Sequence, residues 1–365
     1  MTKKNATFLA QIGNHSDPYT GAISAPIHLS TTYAHPKLGA STGFDYTRTK
    51  NPTRTVLEEA LAQLEAGSQA VATSSGMAAI QLVFGLLPRG AQVLASRDLY
   101  GGSYRFFNYL EEQQGATFTY FEAQEEVLDL LERDEVAAVF LETPTNPLMQ
   151  VFDIARIAEA AHAKGAKLIV DNTFLTPLRQ QPLTLGADFV VHSGTKFLSG
   201  HNDLLAGVAV AKSPEDGEAL AWLANTTGGT LAAFDSWLFI RSLKTLSLRL
   251  ERQESNARYL AEQLQAQPQV KEVLYPGIGG MISLRVGDAT KVPAFLEALK
   301  LFTFAESLGG VESLVTYPTT QTHGDIPQEL RESYGLTPDL VRLSIGIEEA
   351  ANLLADLQTA LAVFE

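Results

Sequence analysis

The sequence has no cysteine, which excludes disulfides, thiolate metal sites and a cysteine nucleophile, and fits a reducing compartment. Positive charge is scarce. Against 41 Asp and Glu stand 27 Lys and Arg, and the net charge of −14 repels a phosphate backbone, so no nucleic acid is expected as a partner. No segment stays apolar for the roughly 20 residues that a membrane span needs. Residues 1–18 hold no apolar run suited to a signal sequence. The chain therefore reads as soluble and cytoplasmic, with no membrane partner. Also missing are the GxxxxGK[ST] of a P-loop and the GxGxxG of a dinucleotide fold, which removes most support for a nucleotide-binding protein.

What is present is the composition of an ordered α/β protein: 45% hydrophobic and 19% charged residues, with 28 Gly and 16 Pro. A chain of 365 residues is long enough for about two or three domains. From Thr73 to Val210 short apolar runs alternate with amphipathic stretches, the rhythm of βαβ units. The strands read as Gln92–Ser96, Thr117–Phe121, Ala137–Leu141, Lys167–Val170, Phe189–His192 and Leu205–Val210. They are too apolar to have one face in water and suit a parallel sheet covered on both sides. Helical spacing marks Gly76–Leu87, Gly102–Gln113, Asp153–Ala163 and a weaker piece after Gln124. A long helical pattern, Phe234–Gln267, stops at Pro268. Beyond it Val270–Tyr275, Gly280–Val286 and Phe302–Ala305 read as strands, and Pro293–Lys300 and Glu348–Phe364 as helices, of a smaller α+β unit. The first forty or so residues lack a period and read as an arm that packs on something else.

Three short stretches carry chemistry. Val190-Val191-His192-Ser193-Gly194-Thr195-Lys196 runs from an apolar strand straight into a lysine. Partial burial disfavours the ammonium form, and a neutral amine can condense with an aldehyde; alone, the residue also fits an exposed surface lysine. Asp171 ends the run Leu168-Ile169-Val170, at the strand end where open α/β sheets bind ligands. A carboxylate there needs a cation, and a protonated pyridine nitrogen is one; a helix cap is the other reading. His192 and His201 have no zinc-type spacing to Asp171, and no metal is expected. Thr73-Ser74-Ser75-Gly76-Met77 opens a helix with small residues, leaving backbone N–H groups at its positive end as a seat for phosphate.

In this order, Ser75-Gly76-Met77, Val170-Asp171-Asn172 and Ser193-Gly194-Thr195-Lys196 resemble the Cys/Met-metabolism family of pyridoxal-phosphate (PLP) enzymes. The resemblance extends through Asp45-Tyr46-Thr47-Arg48, Asn51-Pro52-Thr53, Tyr100-Gly101-Gly102, Glu142 to Pro147, Ala305 to Gly310, and Val341-Arg342-Leu343-Ser344, nearly the whole chain. It implies the aspartate-aminotransferase-like (type I) fold, with a mostly parallel seven-stranded sheet in the large domain and a small C-terminal α+β domain. The corresponding divisions are an arm over 1–47, the PLP-binding large domain over 48–245 and the small domain over 246–365. The resemblance further implies that Lys196 bonds covalently to PLP, that Asp171 pairs with the pyridinium nitrogen and that Tyr100 stacks on the ring. Gly76, Met77, Ser193 and Thr195 are implied to bind the phosphate, with Tyr46 and Arg48 reaching it from a neighbouring subunit. Asn146 is implied to touch the ring hydroxyl, Ser307 to support the site near Lys196, and Arg342 to grip the substrate α-carboxylate. The implied assembly is a homotetramer, a dimer of catalytic dimers.

Family members share this apparatus and differ in reaction. Glu306 stands where methionine γ-lyases and some β-lyases carry an apolar or aromatic residue and where cystathionine γ-synthases and γ-lyases tend to have glutamate, and a carboxylate there can attract the ammonium of a second amino acid. Arg105 can hold that amino acid's carboxylate. Asp45 resembles the pattern of cystathionine γ-synthases, and Gly102 replaces the cysteine of methionine γ-lyases. Three further features resemble a bacterial branch of cystathionine γ-synthases that also act as O-acetylhomoserine thiolyases. These are the short passage from Tyr275-Pro276-Gly277 to Gly279-Gly280-Met281, the stretch Tyr46 to Pro52, and Thr322-His323 followed by Asp325-Ile326-Pro327. Thr49, in place of a second arginine, points away from the more anionic succinyl ester. The expected reaction, in methionine biosynthesis and transsulfuration, is γ-replacement on an O-acyl-L-homoserine, with acetyl favoured as the acyl group, by L-cysteine to give cystathionine, with sulfide as a smaller nucleophile. Cystathionine cleavage by a β-lyase or γ-lyase reaction is the alternative, and a catalytically silent PLP-binding protein a more distant one.

Overall fold

A computed structural model describes residues 3–133 and 135–365. Seven strands, β1 (Gln69–Thr73), β2 (Gln92–Ser96), β3 (Thr117–Phe121), β4 (Ala138–Glu142), β5 (Lys167–Asp171), β6 (Phe189–Ser193) and β7 (Gly207–Ala211), form the large sheet in the order β1-β7-β6-β5-β4-β2-β3. β2 pairs in parallel with β3 and β4, and β5 with β6, while β7 runs against both of its neighbours. A second, five-stranded sheet contains β8 (Val270–Leu274), β9 (Met281–Val286), β10 (Thr303–Phe304), β11 (Leu314–Thr316) and β12 (Leu340–Ser344), ordered β10-β11-β12-β9-β8. Among the described residues no helix is long and apolar enough to cross a membrane.

The chain divides into two compact units. The first comprises residues 1–88 and 154–247. Its helix Pro52–Glu65 begins where the Asn51 side chain accepts the Thr53 and Arg54 N–H groups and Pro52 fills a position that needs no donor. That helix packs on β1 and on helix Ala233–Leu243, and helix Gly76–Phe84 lies on β6 and β7. β7 is buried at every residue, and β6 at all but its last, which is why both read as unbroken apolar runs. The second unit comprises 89–153 and 248–365. In its core Ile282 and Leu284 of β9 and Val341 and Leu343 of β12 meet Leu260, Phe295 and Leu357 from three helices.

Two features depart from the sequence pattern. The stretch Phe234–Gln267 is not one helix but two, Ala233–Leu243 and Leu246–Gln265. At the break Thr245 turns its N–H and its hydroxyl onto the Ser242 carbonyl (3.2 and 3.1 Å), while the leucines keep helical spacing across it, so periodicity alone cannot reveal it. β11 and β12 were not legible as strands, and helices Pro52–Glu65 and Pro214–Thr227 were also missed. β12 matters most, because it carries Arg342.

One buried carboxyl bears on stability. Asp98, just past β2, is buried and accepts the Leu148 N–H at 2.9 Å. Burial pushes its pKa from 3.8 up to about 7, against the Thr145 and Leu148 bonds. The folded state therefore keeps a proton that the unfolded chain gives up. The resulting stabilisation is complete below 3.8 and is lost as pH rises through about 7. Asp98→Asn retains an acceptor for Leu148 and cannot ionise. Urea unfolding at about pH 5 and about pH 8 should show the variant gaining on the wild type at the higher pH by an amount of the order of a few kcal/mol; an unchanged difference would contradict this assignment.

Candidate active site

In the first unit β5 and β6 run in parallel; β5 ends at Asp171, opposite Val191, and β6 runs on to Ser193. Thr173 ties the two ends. Its hydroxyl donates to Asp171 Oδ1 at 2.5 Å, its backbone N–H donates to the same oxygen at 2.9 Å, and its Oγ1 accepts the Ser193 N–H at 2.9 Å. Burial raises the Asp171 pKa above the usual carboxyl value, while the two Thr173 bonds and the neighbouring His192 act the other way. Behind these strand ends, Glu65 Oε1 lies 2.6 Å from His192 Nε2 and accepts the Asn172 side-chain N–H at 3.0 Å.

The start of helix Gly76–Phe84 presses on the same place. A Cβ on Gly76 would lie 2.9 Å from Ser193 Cα, closer than real contacts allow, so the position requires glycine. Ser75 Oγ takes the Ala78 N–H (3.1 Å) and the Ser75 carbonyl takes that of Ala79 (3.1 Å). Among the described residues no hydrogen bond claims the Gly76 and Met77 N–H groups, which sit at the positive end of the helix. The turn after β6 brings Lys196 back toward the strand, its N–H donating to the Ser193 carbonyl at 3.2 Å, and leaves the residue half-buried. Thr195 donates its hydroxyl to the Ala206 carbonyl (3.2 Å) and accepts the Ala206 N–H (3.0 Å). An anion seat and a half-buried carboxyl thus flank a turn that carries a half-buried lysine.

Asp45, Tyr46 and Arg48 belong to the same unit, but their bonds go elsewhere. Asp45 Oδ1 accepts the Ser41 hydroxyl at 2.6 Å, and Arg48 donates to the Asn225 carbonyl at 2.7 Å with its guanidinium over the Tyr46 ring. All three are exposed.

The second unit holds the remaining expected residues, among them Arg342, whose side chain is only 1% exposed. Its Nη1 donates to Asn146 Oδ1 at 2.7 Å, and its Nη2 to the Ser307 carbonyl and the Thr316 hydroxyl, both at 3.2 Å. Every one of these acceptors is neutral, and Nε is buried without a partner. Burial lowers the Arg342 pKa to about 10, against Glu142, Tyr100 and Glu306, and the guanidinium stays charged at neutral pH. Ser307 holds a positive φ of 99°, a conformation unusual for a residue with a side chain. Tyr100 precedes helix Gly101–Gln114 without a side-chain capping bond, and its N–H donates to Glu142 Oε1 at 2.9 Å. A Cβ on Gly102 would strike the Tyr100 ring. Glu306 is exposed, as is Arg105, which is ion-paired with Asp325.

Sequence reasoning missed Thr173, Glu65 and Thr316. A threonine two residues past a strand-end aspartate is a local turn signal and could have been found. Glu65 lies 127 residues from His192, and no local pattern could join them.

The model of the Cys/Met metabolism PLP-dependent enzyme family matches residues 6–362. The chain is similar to cystathionine gamma-synthase of Haemophilus influenzae, 51% identical over 366 residues and 99% of each chain. To the Bacillus subtilis cystathionine gamma-synthase/O-acetylhomoserine (thiol)-lyase it is 52% identical over 362 residues, covering 99% of this chain and 97% of that one. The crystal structure of cystathionine gamma synthase from Xanthomonas oryzae pv. oryzae in complex with aminoacrylate and cysteine superposes with a TM-score of 0.95 at 40% identity, covering 99% of this chain and 98% of that one. Cystathionine lyases are matched as well, at lower identity.

The first-unit cluster fits PLP: the open Gly76 and Met77 N–H groups suit a phosphate, and the half-buried Asp171 carboxyl suits a ring cation. Thr173→Val removes the hydroxyl from both Asp171 and Ser193. It should weaken PLP binding about tenfold in an absorbance titration of the cofactor-free protein, and unchanged affinity would refute the role given to Thr173. By the family match over residues 6–362 and the likeness to these enzymes across nearly its full length, the chain belongs to the Cys/Met metabolism PLP-dependent enzymes.

Proposed function

We propose that this enzyme joins O-acetyl-L-homoserine and L-cysteine into L-cystathionine, releasing acetate and a proton, with sulfide as a smaller nucleophile that gives homocysteine. The observation that carries the choice is the likeness over nearly the whole chain to two proteins named cystathionine gamma-synthase, one of which also bears the thiol-lyase name. The arrangement of charge supports it. Arg342 offers a buried cation bonded only to neutral oxygens, and Glu306 and Arg105 offer exposed charges of opposite sign to a second amino acid.

In this reading Gly76, Met77, Ser193 and Thr195 hold the PLP phosphate, Asp171 the ring nitrogen and Asn146 the ring hydroxyl, while Tyr100 stacks on the ring. Bound PLP supplies an electron sink conjugated to the substrate α-carbon. Arg342 grips the α-carboxylate, with Ser307 as a support, and so fixes which bond at Cα can break. The Lys196 amine would take the proton from Cα and then move a proton at Cβ, with Tyr100 as second carrier. The Cγ–O bond breaks as acetate leaves with the electron pair, and the cysteine sulfur bonds to Cγ while Glu306 and Arg105 hold the cysteine ammonium and carboxylate. Asp45 belongs to the substrate-facing set. Arg105 is held by Asp325 beforehand, and the incoming carboxylate takes that partner's place. The same reading makes the enzyme a cytoplasmic homotetramer in which Tyr46 and Arg48, exposed in the single chain, reach the phosphate of a neighbouring subunit.

A mass-resolved product assay on the PLP-loaded enzyme with O-acetyl-L-homoserine and L-cysteine, against a control without enzyme, should show cystathionine. Its absence, with cofactor bound, would overturn the substrate pair. Lys196→Ala should lose turnover altogether, and wild-type turnover in that variant would remove Lys196 from the mechanism. The similar cystathionine lyases favour cleavage as a second reading. Cystathionine supplied alone would then yield pyruvate or 2-oxobutyrate with ammonia.

A further inference from the structure

His323 lies between β11 and β12 in the second unit and is fully buried. Its Nε2 is 3.0 Å from the Leu99 carbonyl and 2.9 Å from the Asn146 carbonyl, and its Nδ1 is 2.8 Å from the Thr322 hydroxyl. Burial and the Arg342 charge lower its pKa to about 3, so the ring is neutral and carries a single N–H. Carbonyl oxygens can only accept. The proton must therefore sit on Nε2, shared between Leu99 and Asn146, which leaves Nδ1 to accept from Thr322. Leu99 is the residue before Tyr100, and Asn146 is the residue whose side chain holds Arg342. One imidazole N–H thus clamps the backbone beneath two residues of the proposed site.

The segment around His323 is itself held. Arg331 donates to the Thr319 carbonyl at 2.5 Å and to the His323 carbonyl at 3.1 Å, and the His323 N–H donates to the Pro318 carbonyl at 2.9 Å. A Cβ on Gly101 would strike the Thr322 carbonyl, so the start of the helix after Tyr100 lies directly against this segment. Two residues on, Asp325 holds Arg105 of that helix.

We propose that His323, through its Nε2–H, is a positioning residue that sets Tyr100 and the Asn146–Arg342 pair for binding the substrate α-carboxylate. This rests on the proposed role of Arg342. His323 is given no proton to transfer: both of its nitrogens are occupied, and the ring does not titrate in the working range of the enzyme.

The test compares His323→Leu, which removes the donor, with His323→Gln, whose amide can return an N–H near the same carbonyls, as PLP-loaded enzymes of verified fold. His323→Leu should raise KM for the first amino-acid substrate about tenfold, through loss of one buried hydrogen bond, with a smaller fall in kcat. The circular dichroism of the cofactor band should change with it. His323→Gln should recover most of KM and the wild-type pH profile. KM and dichroism unchanged in His323→Leu would overturn the proposal. So would a His323→Gln variant as damaged as His323→Leu that lacks one limb of the pH profile, because His323 would then be moving a proton. Arg342→Lys separates the two layers. If it raises KM and His323→Leu does not, only the clamp fails; if it leaves KM unchanged, the role of Arg342 fails first.

Discussion

A half-buried carboxyl group at the end of β5 is the constraint around which the first unit is arranged. Left alone, the Asp171 anion would be costly, and its raised pKa records that cost. Thr173 offsets part of it with two bonds to one oxygen, and through the same hydroxyl fixes where β6 ends. Once Ser193 is placed, the helix beginning at Gly76 has no room for a side chain there, and its two open N–H groups share a locale with Asp171. The lysine three residues past Ser193 inherits its position from the same strand end. A cation over the carboxyl and an anion on the helix start would complete charges that the fold leaves incomplete, which is how this framework selects a ring with a basic nitrogen and a phosphate.

The second unit turns on a charge of the opposite sign. Arg342 sits on an interior strand with a guanidinium that touches no carboxylate among its hydrogen-bond partners. The surroundings pay in conformation: Ser307 adopts an unusual φ and turns its carbonyl toward the guanidinium. Asn146 gives its side chain to Arg342 and its carbonyl to His323, so the guanidinium and the imidazole are coupled through one residue.

The sequence was most readable where burial on both faces forces unbroken apolar runs. β2 and β3 fall where the pattern puts them, and β5, β6 and β7 within two residues. The short motifs at the strand ends were readable for a related reason, since Asp171, Gly76 and Lys196 each answer a local demand of strand end, helix start or turn. Illegible were features settled by distant partners. The break after Leu243 hides inside continuous leucine spacing, and β12 shows its purpose only against β9 and β11. His323 was noticed as a motif and given no task, because Leu99 and Asn146 lie 224 and 177 residues away.

Titrating PLP into cofactor-free wild type and Asp171→Asn, with melting temperatures of both, tests the central constraint most directly. If a partly desolvated carboxyl waits to meet a ring cation, the variant without cofactor should melt no lower than the wild type, because the group it loses is costly to desolvate, and should bind PLP at least about tenfold more weakly. Equal PLP affinity in a stably folded variant would contradict the account.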